Sequence, residues 1–415
     1  MPLTKVLIIG AGPSGLLLAL LLARAHIPVE LLEQTAALDT NPRASHYTSE
    51  SCIEFDRAGV LDEVRAEGFT PDGVSWRRLD DEGRTRLVAL RSVINDDGDQ
   101  EAGRYAMVCL PLHRLGRILE RHVLAQEGAE IRYGCRVVEI GEDRGTGKAW
   151  VRVEKEGGGS EVREADYVVG CDGANSMVRR KLFGEMVFPG FTWDRQIVAT
   201  NVYYDLEPYD YDDSQFFVHP EHWHMVARIQ TDGLCRVTYG EVGGLSYEEL
   251  KERQPGKFKA FLPGNPTPDK YEMVNFSPYK VHQRCVDKMR VGRFLLAADA
   301  AHLCNPFGGM GLTGGIADIG SLYESLLGIH TGQADDSILD TYDEVRRRIW
   351  HDIINPISSD NMTRLFKYAD PDEAMEKDPF FKMVKRMEEP AEGTDEPPNP
   401  GLPSLRYDMT QHYQR

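Results

Sequence analysis

Apolar residues along this chain fall into short blocks separated by glycine-rich turns. Val6-Leu7-Ile8-Ile9 is a compact run of the kind buried on both faces in a parallel sheet. A helical stretch from Leu16 to Ala23 follows, then a second strand, Val29-Glu30-Leu31-Leu32-Glu33. Two later runs also read as strands leading into polar or glycine-rich turns, Tyr167-Val168-Val169-Gly170 and Arg293-Phe294-Leu295-Leu296-Ala297-Ala298. Between them, from about Phe188 to Gln283, the pattern changes. Strand-forming runs dominate at 196–204, 215–218, 223–229, 235–241 and 274–283, with turns at His219-Pro220 and Thr231-Asp232-Gly233. Helices are expected at 50–58, at 61–67 and at 112–126, where Leu112, Leu115, Ile118, Leu119 and Val123 share one face. A strand-like stretch at 74–90 should turn at Asp80-Asp81-Glu82-Gly83. A long helix at 340–358 should be interrupted by Pro356, and the Pro- and Glu-rich end, 388–403, should be extended, with Leu405-Arg406-Tyr407 tying it down.

These blocks predict an α/β protein: a Rossmann-like nucleotide-binding domain with an inserted, largely antiparallel β-sheet that forms the substrate side, and C-terminal helices. The boundaries expected are 1–187 and 286–369 for the two parts of the nucleotide-binding domain, 188–285 for the insert, and 370–415 for a tail.

The first turn carries the most specific chemistry. Gly10-Ala11-Gly12-Pro13-Ser14-Gly15 is G-x-G-x-x-G set between a strand and a helix. Gly10 permits the tight turn, Gly12 lets a pyrophosphate approach the backbone, and Gly15 lets the helix pack closely on the strand. The helix N-terminus offers free N–H groups to the phosphates. Glu33 ends the second strand where a carboxylate accepts hydrogen bonds from an adenosine ribose. The same stretch imitates a secretory signal, with Lys5, an apolar run and Ala23-Arg24-Ala25, but three glycines and a proline interrupt it. Asp172-Gly173 closes the 166–170 run, and Asp172 can cap the helix after it. Gly309 to Gly314 repeats the glycine spacing but follows a proline loop rather than a strand, so it reads as a helix N-terminus facing a flat, electron-rich group.

Composition narrows the partners. A net charge of −18 argues against nucleic acid or an anionic membrane as the main target. Seven cysteines without a C-x-x-C pair suggest buried thiols in a reducing, cytoplasmic setting. Beyond the first helix no apolar stretch is long enough for a membrane span. His219, His222 and His224 suggest a metal, but strand alternation puts only two of them on one face, so none is expected.

The Gly10–Gly15 turn with Glu33, the Asp172-Gly173 strand end and the 293–313 stretch, in that order, resemble the FAD-dependent aromatic hydroxylases of the p-hydroxybenzoate hydroxylase type, the single-component flavoprotein monooxygenases. The resemblance covers most of residues 1 to about 365 and is weakest in the inserted sheet. It implies that Gly10, Gly12, Gly15 and Glu33 hold the ADP half of FAD, and that Arg43 and Arg114 lie near the flavin and its pyrophosphate. It implies that Asp172 and Gly173 serve both FAD and NAD(P)H, and that Asp299 accepts a hydrogen bond from the ribityl chain. Pro306 and the amides of the 308–313 stretch, among them Gly309, Gly311, Leu312 and Thr313, would lie beside the isoalloxazine. Two positions depart from the family pattern: Ala298 stands where Gly is usual, and Thr313 where Asn is common.

The reaction so implied consumes NAD(P)H and O2. Reduced flavin forms a C4a-hydroperoxide, which hydroxylates or epoxidises an electron-rich aromatic or unsaturated small molecule and releases water. His46 and Tyr47 are candidates to face the substrate. Arg195 is a candidate to reach it from the insert, with a surface ion pair to Asp194 or Glu207 as the other reading. His302 reads as a loop-ordering residue. A Trp-x-Trp-x-Ile-Pro segment, expected of a flavin-dependent halogenase, is absent. An isoprenoid double-bond reductase or a non-redox FAD-fold binding protein would share the fold.

Overall fold

A computed structural model describes residues 2–40, 45–79, 85–92, 103–155, 157–388 and 403–414. The turn expected at 80–83 and most of the Pro/Glu-rich stretch lie outside the described residues.

The first layer is a six-stranded sheet. Its order is Arg290–Val291, Phe294–Leu296, Tyr167–Gly170, Val6–Ile9 (β1), Val29–Leu32 (β2) and Ala129–Arg132. All pairings except the one at the 290–291 edge are parallel. Every residue of β1 is buried, as its unbroken apolar run requires. The helix Pro13–Arg24 (α1) follows β1 and is buried from Ser14 to Ala23. A three-stranded antiparallel meander, Cys135–Asp143, Lys148–Lys155 and Ser160–Ala165, is a separate small sheet.

The second large sheet has eight strands. It runs His302–Leu303, Glu272–Cys285, Gly190–Tyr203, Leu234–Val242, His224–Arg228, Ser214–Val218, Gly73–Leu79 and Thr85–Ser92. Its pairings are antiparallel except that Ser214–Val218 runs parallel to Gly73–Leu79. The sheet therefore takes strands from outside the 188–285 span. Strand Gly73–Leu79 alternates buried and part-exposed positions, but alternation shows a strand's faces and not which sheet it joins.

One face of this sheet is covered by the helix Tyr247–Phe261, which the strand-rich reading of the insert lacked. Ser246 and Glu249 form a reciprocal capping box at its start. Leu250, Phe258 and Phe261 pack against Val198, Val202, Phe217, Val226, Val237 and Tyr239. The expected long helix near the C-terminus is two helices, Ile338–Ile349 and Asn355–Phe366, joined by a π-helical turn at Trp350–Ile354. Pro356 explains the join, since it has no N–H to donate back to residue 352. Leu405 is buried, and its N–H donates to Glu50 Oε1 at 2.8 Å. Among the described residues no helix is long and apolar enough to cross a membrane.

Candidate active site

The three glycines of the first turn meet different surroundings. Gly10 has φ +104°, and a Cβ there would stand 2.5 Å from the Cys171 carbonyl oxygen. A Cβ on Gly15 would collide with the Gly10 carbonyl oxygen. A Cβ on Gly12 would meet nothing within 4 Å. The first and third glycines are thus required by the protein's own packing, and the second faces open space at the N-terminus of α1. That helix has no acidic residue in its first turn and no side-chain cap, so its leading N–H groups face the same space. Glu33 stands at the mouth of the turn. Its Oε2 accepts from Ala11 N–H at 2.8 Å, and its Oε1 accepts from the Thr35 N–H and hydroxyl, both at 2.9 Å.

Asp172 caps the short helix Met177–Phe183, its Oδ2 accepting from Met177 N–H at 2.7 Å and Val178 N–H at 3.1 Å. Its Oδ1 is buried without a hydrogen-bond partner among the described residues. Burial raises the Asp172 carboxyl above its ordinary range. An open glycine cradle beside a buried, unsatisfied carboxylate oxygen is what a dinucleotide would complete. Arg114 donates through Nε and Nη2 to Glu67 Oε2 at 3.1 and 2.8 Å. Arg43 lies outside the described residues.

The second loop begins where strand Phe294–Leu296 ends. Ala298 adopts φ +54°, a left-handed conformation that a glycine would take without strain. Its methyl fits because position 315 is glycine: a Cβ there would stand 2.8 Å away. Asp299 follows, exposed at the carboxyl end of the sheet. The loop is held from below by Asp318, which is wholly buried in the helix Met310–Thr331. Asp318 Oδ2 accepts from Ala298 N–H at 2.9 Å and pairs with His302 Nε2 at 2.7 Å, while Oδ1 accepts from Arg346 Nε at 2.6 Å. Arg346 also donates to the carbonyls of Gly314 and Leu405. Burial would raise the Asp318 carboxyl, but His302 and Arg346 outweigh it and hold it at about 2. His302 thus orders the loop. Ala298→Gly is expected to stabilise the cofactor-free protein by about 0.5–1 kcal/mol. Relief of roughly 1–2 kcal/mol of left-handed strain exceeds the ~0.4–1 kcal/mol cost of a freer unfolded chain. Urea unfolding checks it.

Past Pro306 the chain turns through Gly308 (φ +104°) and Gly309 (φ +66°) into the helix Met310–Thr331. Asn305 fixes the turn, accepting from Phe307 N–H at 3.0 Å and donating to the Ser358 carbonyl at 2.8 Å. Gly311 passes the Cys304 sulfur, from which a Cβ would lie 3.5 Å. Leu312 lies in the first turn of the helix, and Thr313 bonds back to the Gly309 carbonyl at 3.2 Å. The first turn of this helix also lacks acidic residues and a side-chain cap. Thr48 Oγ1 meets Thr313 Oγ1 at 3.4 Å, which joins this turn to the strand His46–Tyr47.

The opposite wall is the face of the eight-stranded sheet turned away from helix Tyr247–Phe261. Register places Asn201, Arg236, Ala227 and Ser214 in one row across four strands. Two residues along, Thr238, Met225, Phe216 and Trp76 form a parallel row, largely apolar. Phe216 stacks on Trp76 with centroids 5.8 Å apart and approaches Phe307, beside Pro306, at 6.5 Å. In the polar row Arg236 Nε donates to Asn201 Oδ1 at 3.0 Å. His46 sits over the other end, its Nε2 3.3 Å from Ser214 Oγ and its Nδ1 3.1 Å from Ser45 Oγ. Burial and then the Arg236 charge lower His46 to about 4, so it is neutral at pH 7. Tyr279, paired with Ile197 on the same face, keeps 39% of its surface accessible. Surrounding protein nevertheless pushes its phenol up to about 12, against the opposing charge of Arg236.

The three acid–base candidates do not converge. His46 faces the sheet through Ser214. Tyr47 is fully buried in the core of the first domain, edge-on to Phe55 at 5.2 Å. Arg195 lies 4.3 Å over the ring of Phe366. His224 is sandwiched between Phe217 and Phe261 at 4.0 and 4.1 Å, on the helix-covered face. Sequence reasoning missed Asp318, Arg346, Arg236, Asn201 and Tyr279. A lone acid in the apolar run Gly314-Gly315-Ile316-Ala317-Asp318-Ile319 was a usable signal, because a buried charge needs a partner.

Comparison with known proteins agrees with this geometry. Residues 3–355 match the family model described as an FAD binding domain. The chain is 36% identical over 383 residues to para-nitrophenol 4-monooxygenase of Pseudomonas sp. (strain WBC-3), covering 92% of this chain and 91% of that one. It is 38% identical over 365 residues to 6-hydroxy-3-succinoylpyridine 3-monooxygenase HspB of Pseudomonas putida (strain DSM 28022 / S16), covering 87% and 89%. The crystal structure of p-nitrophenol 4-monooxygenase PnpA from Pseudomonas putida DLL-E4 superposes with a TM-score of 0.84 at 33% identity, over 92% of this chain and 94% of that one. With a nucleotide cradle, an ordered turn beside it and an aromatic-lined wall opposite, the chain belongs to the FAD-dependent aromatic hydroxylases, the flavoprotein monooxygenases that use NAD(P)H and O2.

Proposed function

We propose that this monooxygenase hydroxylates a single six-membered aromatic ring, a phenol or hydroxypyridine, with a second substituent opposite the hydroxyl. The wall of Trp76, Phe216 and Met225, ending in the row of Asn201, Arg236 and Ser214, carries this reading. Apolar side chains bind the ring faces, and polar groups at one end orient the hydroxyl. The names of the two relatives describe such rings, and their position numbers mark the carbon opposite the hydroxyl.

Gly12 and the first turn of α1 would hold the pyrophosphate of FAD, Glu33 the ribose, Asp299 the ribityl chain, and Pro306 to Thr313 the flavin ring. Bound there, FAD would supply the redox chemistry, with NAD(P)H as the electron source and O2 as the source of the oxygen that enters the ring, the second oxygen atom being released as water. The chain positions the ring, excludes water with the Trp76–Phe216–Phe307 wall, and keeps His46 neutral so that the polar end is not doubly cationic.

Incubation of the holoenzyme with NADPH or NADH, ¹⁸O₂ and a panel of para-substituted phenols and hydroxypyridines tests the reading. One labelled oxygen in the product is expected. NAD(P)H consumption with a reduced, unlabelled product would indicate a double-bond reductase instead, and no NAD(P)H consumption a binding protein.

A further inference from the structure

Residues 403–414 have little regular structure of their own beyond a short 3-10 turn at Met409–His412. They lie along the helix Met310–Thr331 and run in its direction. Leu405 is buried with Ala317, Val345 and Ile349, and Met409 is buried in the core of the first domain. The Tyr407 carbonyl accepts from Ser321 Oγ at 3.2 Å, Met409 N–H donates to Glu324 Oε2 at 2.8 Å, and Gln414 N–H donates to the Gln333 carbonyl at 2.6 Å. A Cβ on Gly328 would stand 2.5 Å from the Tyr413 ring, so the bare helix surface there admits it. The helix Ser49–Arg57 holds the start of the segment. Glu50 Oε1 accepts from the Ser404 hydroxyl at 2.7 Å and the Leu405 N–H at 2.8 Å, and Arg406 Nε donates to Glu54 Oε1 at 3.1 Å.

One bond of this strap points inward. The Leu405 carbonyl accepts from Arg346 Nη1. Arg346 is wholly buried, and its two other acceptors, Asp318 Oδ1 and the Gly314 carbonyl, both belong to the helix. Asp318 in turn accepts from Ala298 N–H and pairs with His302. Strap, guanidinium, carboxylate and cofactor turn are therefore joined by successive hydrogen bonds. Lifting Leu405 leaves a buried guanidinium N–H without its acceptor. The guanidinium recovers one only by shifting, and a shift draws Asp318 away from the left-handed Ala298.

We propose that residues 403–414 are a cofactor-retention strap: seated, they hold the Ala298 turn in the shape that accepts FAD, and bound FAD keeps them seated. The two equilibria then share one coupling factor, the same in both directions. The inference rests on FAD lying against the Ala298 turn, as read above. It adds a determinant of FAD affinity that acts from the opposite end of a hydrogen-bonded chain.

The test uses the full chain, with FAD titrated into the apo form and hydrogen exchange followed with and without FAD. Glu50→Ala, at a half-buried position, removes the acceptor of the Leu405 N–H, and Met409→Ala removes a buried anchor. Each should weaken FAD binding by about five-fold or more. Leu250→Ala removes a buried side chain from the other layer, behind the eight-stranded sheet. It should lower the melting temperature yet leave FAD affinity within about two-fold of wild type, which separates strap loss from general instability. In the wild type, FAD should slow exchange of the Leu405, Met409 and Gln414 amides by about five-fold or more and change those of helix Tyr247–Phe261 by less than about two-fold. FAD affinity unmoved by both strap variants, an equal loss in Leu250→Ala, or strap amides that exchange at one rate with and without FAD overturns the strap. The cofactor reading fails separately. A wild type that binds no FAD overturns both, whereas one that binds FAD with an indifferent strap overturns the strap alone.

Discussion

Asp318→Asn is expected to destabilise the protein by about 3–5 kcal/mol and to empty it of FAD, although residue 318 lies beneath the cofactor turn and not in it. The carboxylate is wholly buried and gathers the Ala298 N–H, His302 and Arg346. An amide keeps the volume but loses the charge, which leaves Arg346 buried against a neutral group, and it presents an N–H where one carboxylate oxygen had accepted. The Ala298 turn then loses the bond that offsets its left-handed strain. Guanidinium unfolding and the flavin-to-protein absorbance ratio measure the two effects. The pH dependence has a defined sign. The folded carboxyl sits at about 2, below the usual value near 4, so its contribution is complete above about pH 4 and disappears as pH falls towards 2. Wild type should lose stability through that window more steeply than Asp318→Asn. Equal acid slopes would show that the network contributes nothing through its charge.

Gly12→Val and Gly15→Ala should fail in opposite ways. A Cβ at 12 meets nothing within 4 Å, so the apo form should fold with an unchanged melting temperature and the full far-ultraviolet circular dichroism signal. Its FAD affinity should drop at least a hundred-fold, about 3 kcal/mol, because the added atoms occupy the phosphate path. The single methyl at 15 collides with the Gly10 carbonyl, so that variant should be unstable with or without FAD. Tight FAD binding by Gly12→Val would mean that the pyrophosphate does not cross the turn at that glycine.

How much of this was legible in the sequence depended on how local each feature is. The β1–turn–α1–β2 unit was readable because its strand, glycines and terminal acid lie within thirty residues and each has its own physical reason. Helix Tyr247–Phe261 announced itself through Ser246 and Glu249, but the surrounding strands obscured it. The strand-like stretch at 74–90 showed its extended character and not which sheet it joins. Arg236 was invisible for a related reason. Its neighbours in the row come from residues 201, 214 and 227, and only the register of four strands brings them together. Arg195 attracted attention instead. The structure sets it on Phe366, close to an irregularity where the pairing with Glu272–Cys285 shifts between Thr192 and Gln196.

The eight-stranded sheet draws on residues 73–92, 190–285 and 302–303, and the polypeptide re-enters the nucleotide-binding domain between those segments. No single pair of cuts would release it, so the substrate side of this scaffold is not a module that recombination can exchange. New specificities have to arise by point substitution. Alternation makes that route permissive: positions such as 225, 227, 236 and 238 can vary on the cleft face while Val226, Val237 and Tyr239 keep helix Tyr247–Phe261 in place behind them. Divergence among such enzymes should therefore be read along rows of the sheet, two residues at a time, and not along contiguous stretches of sequence.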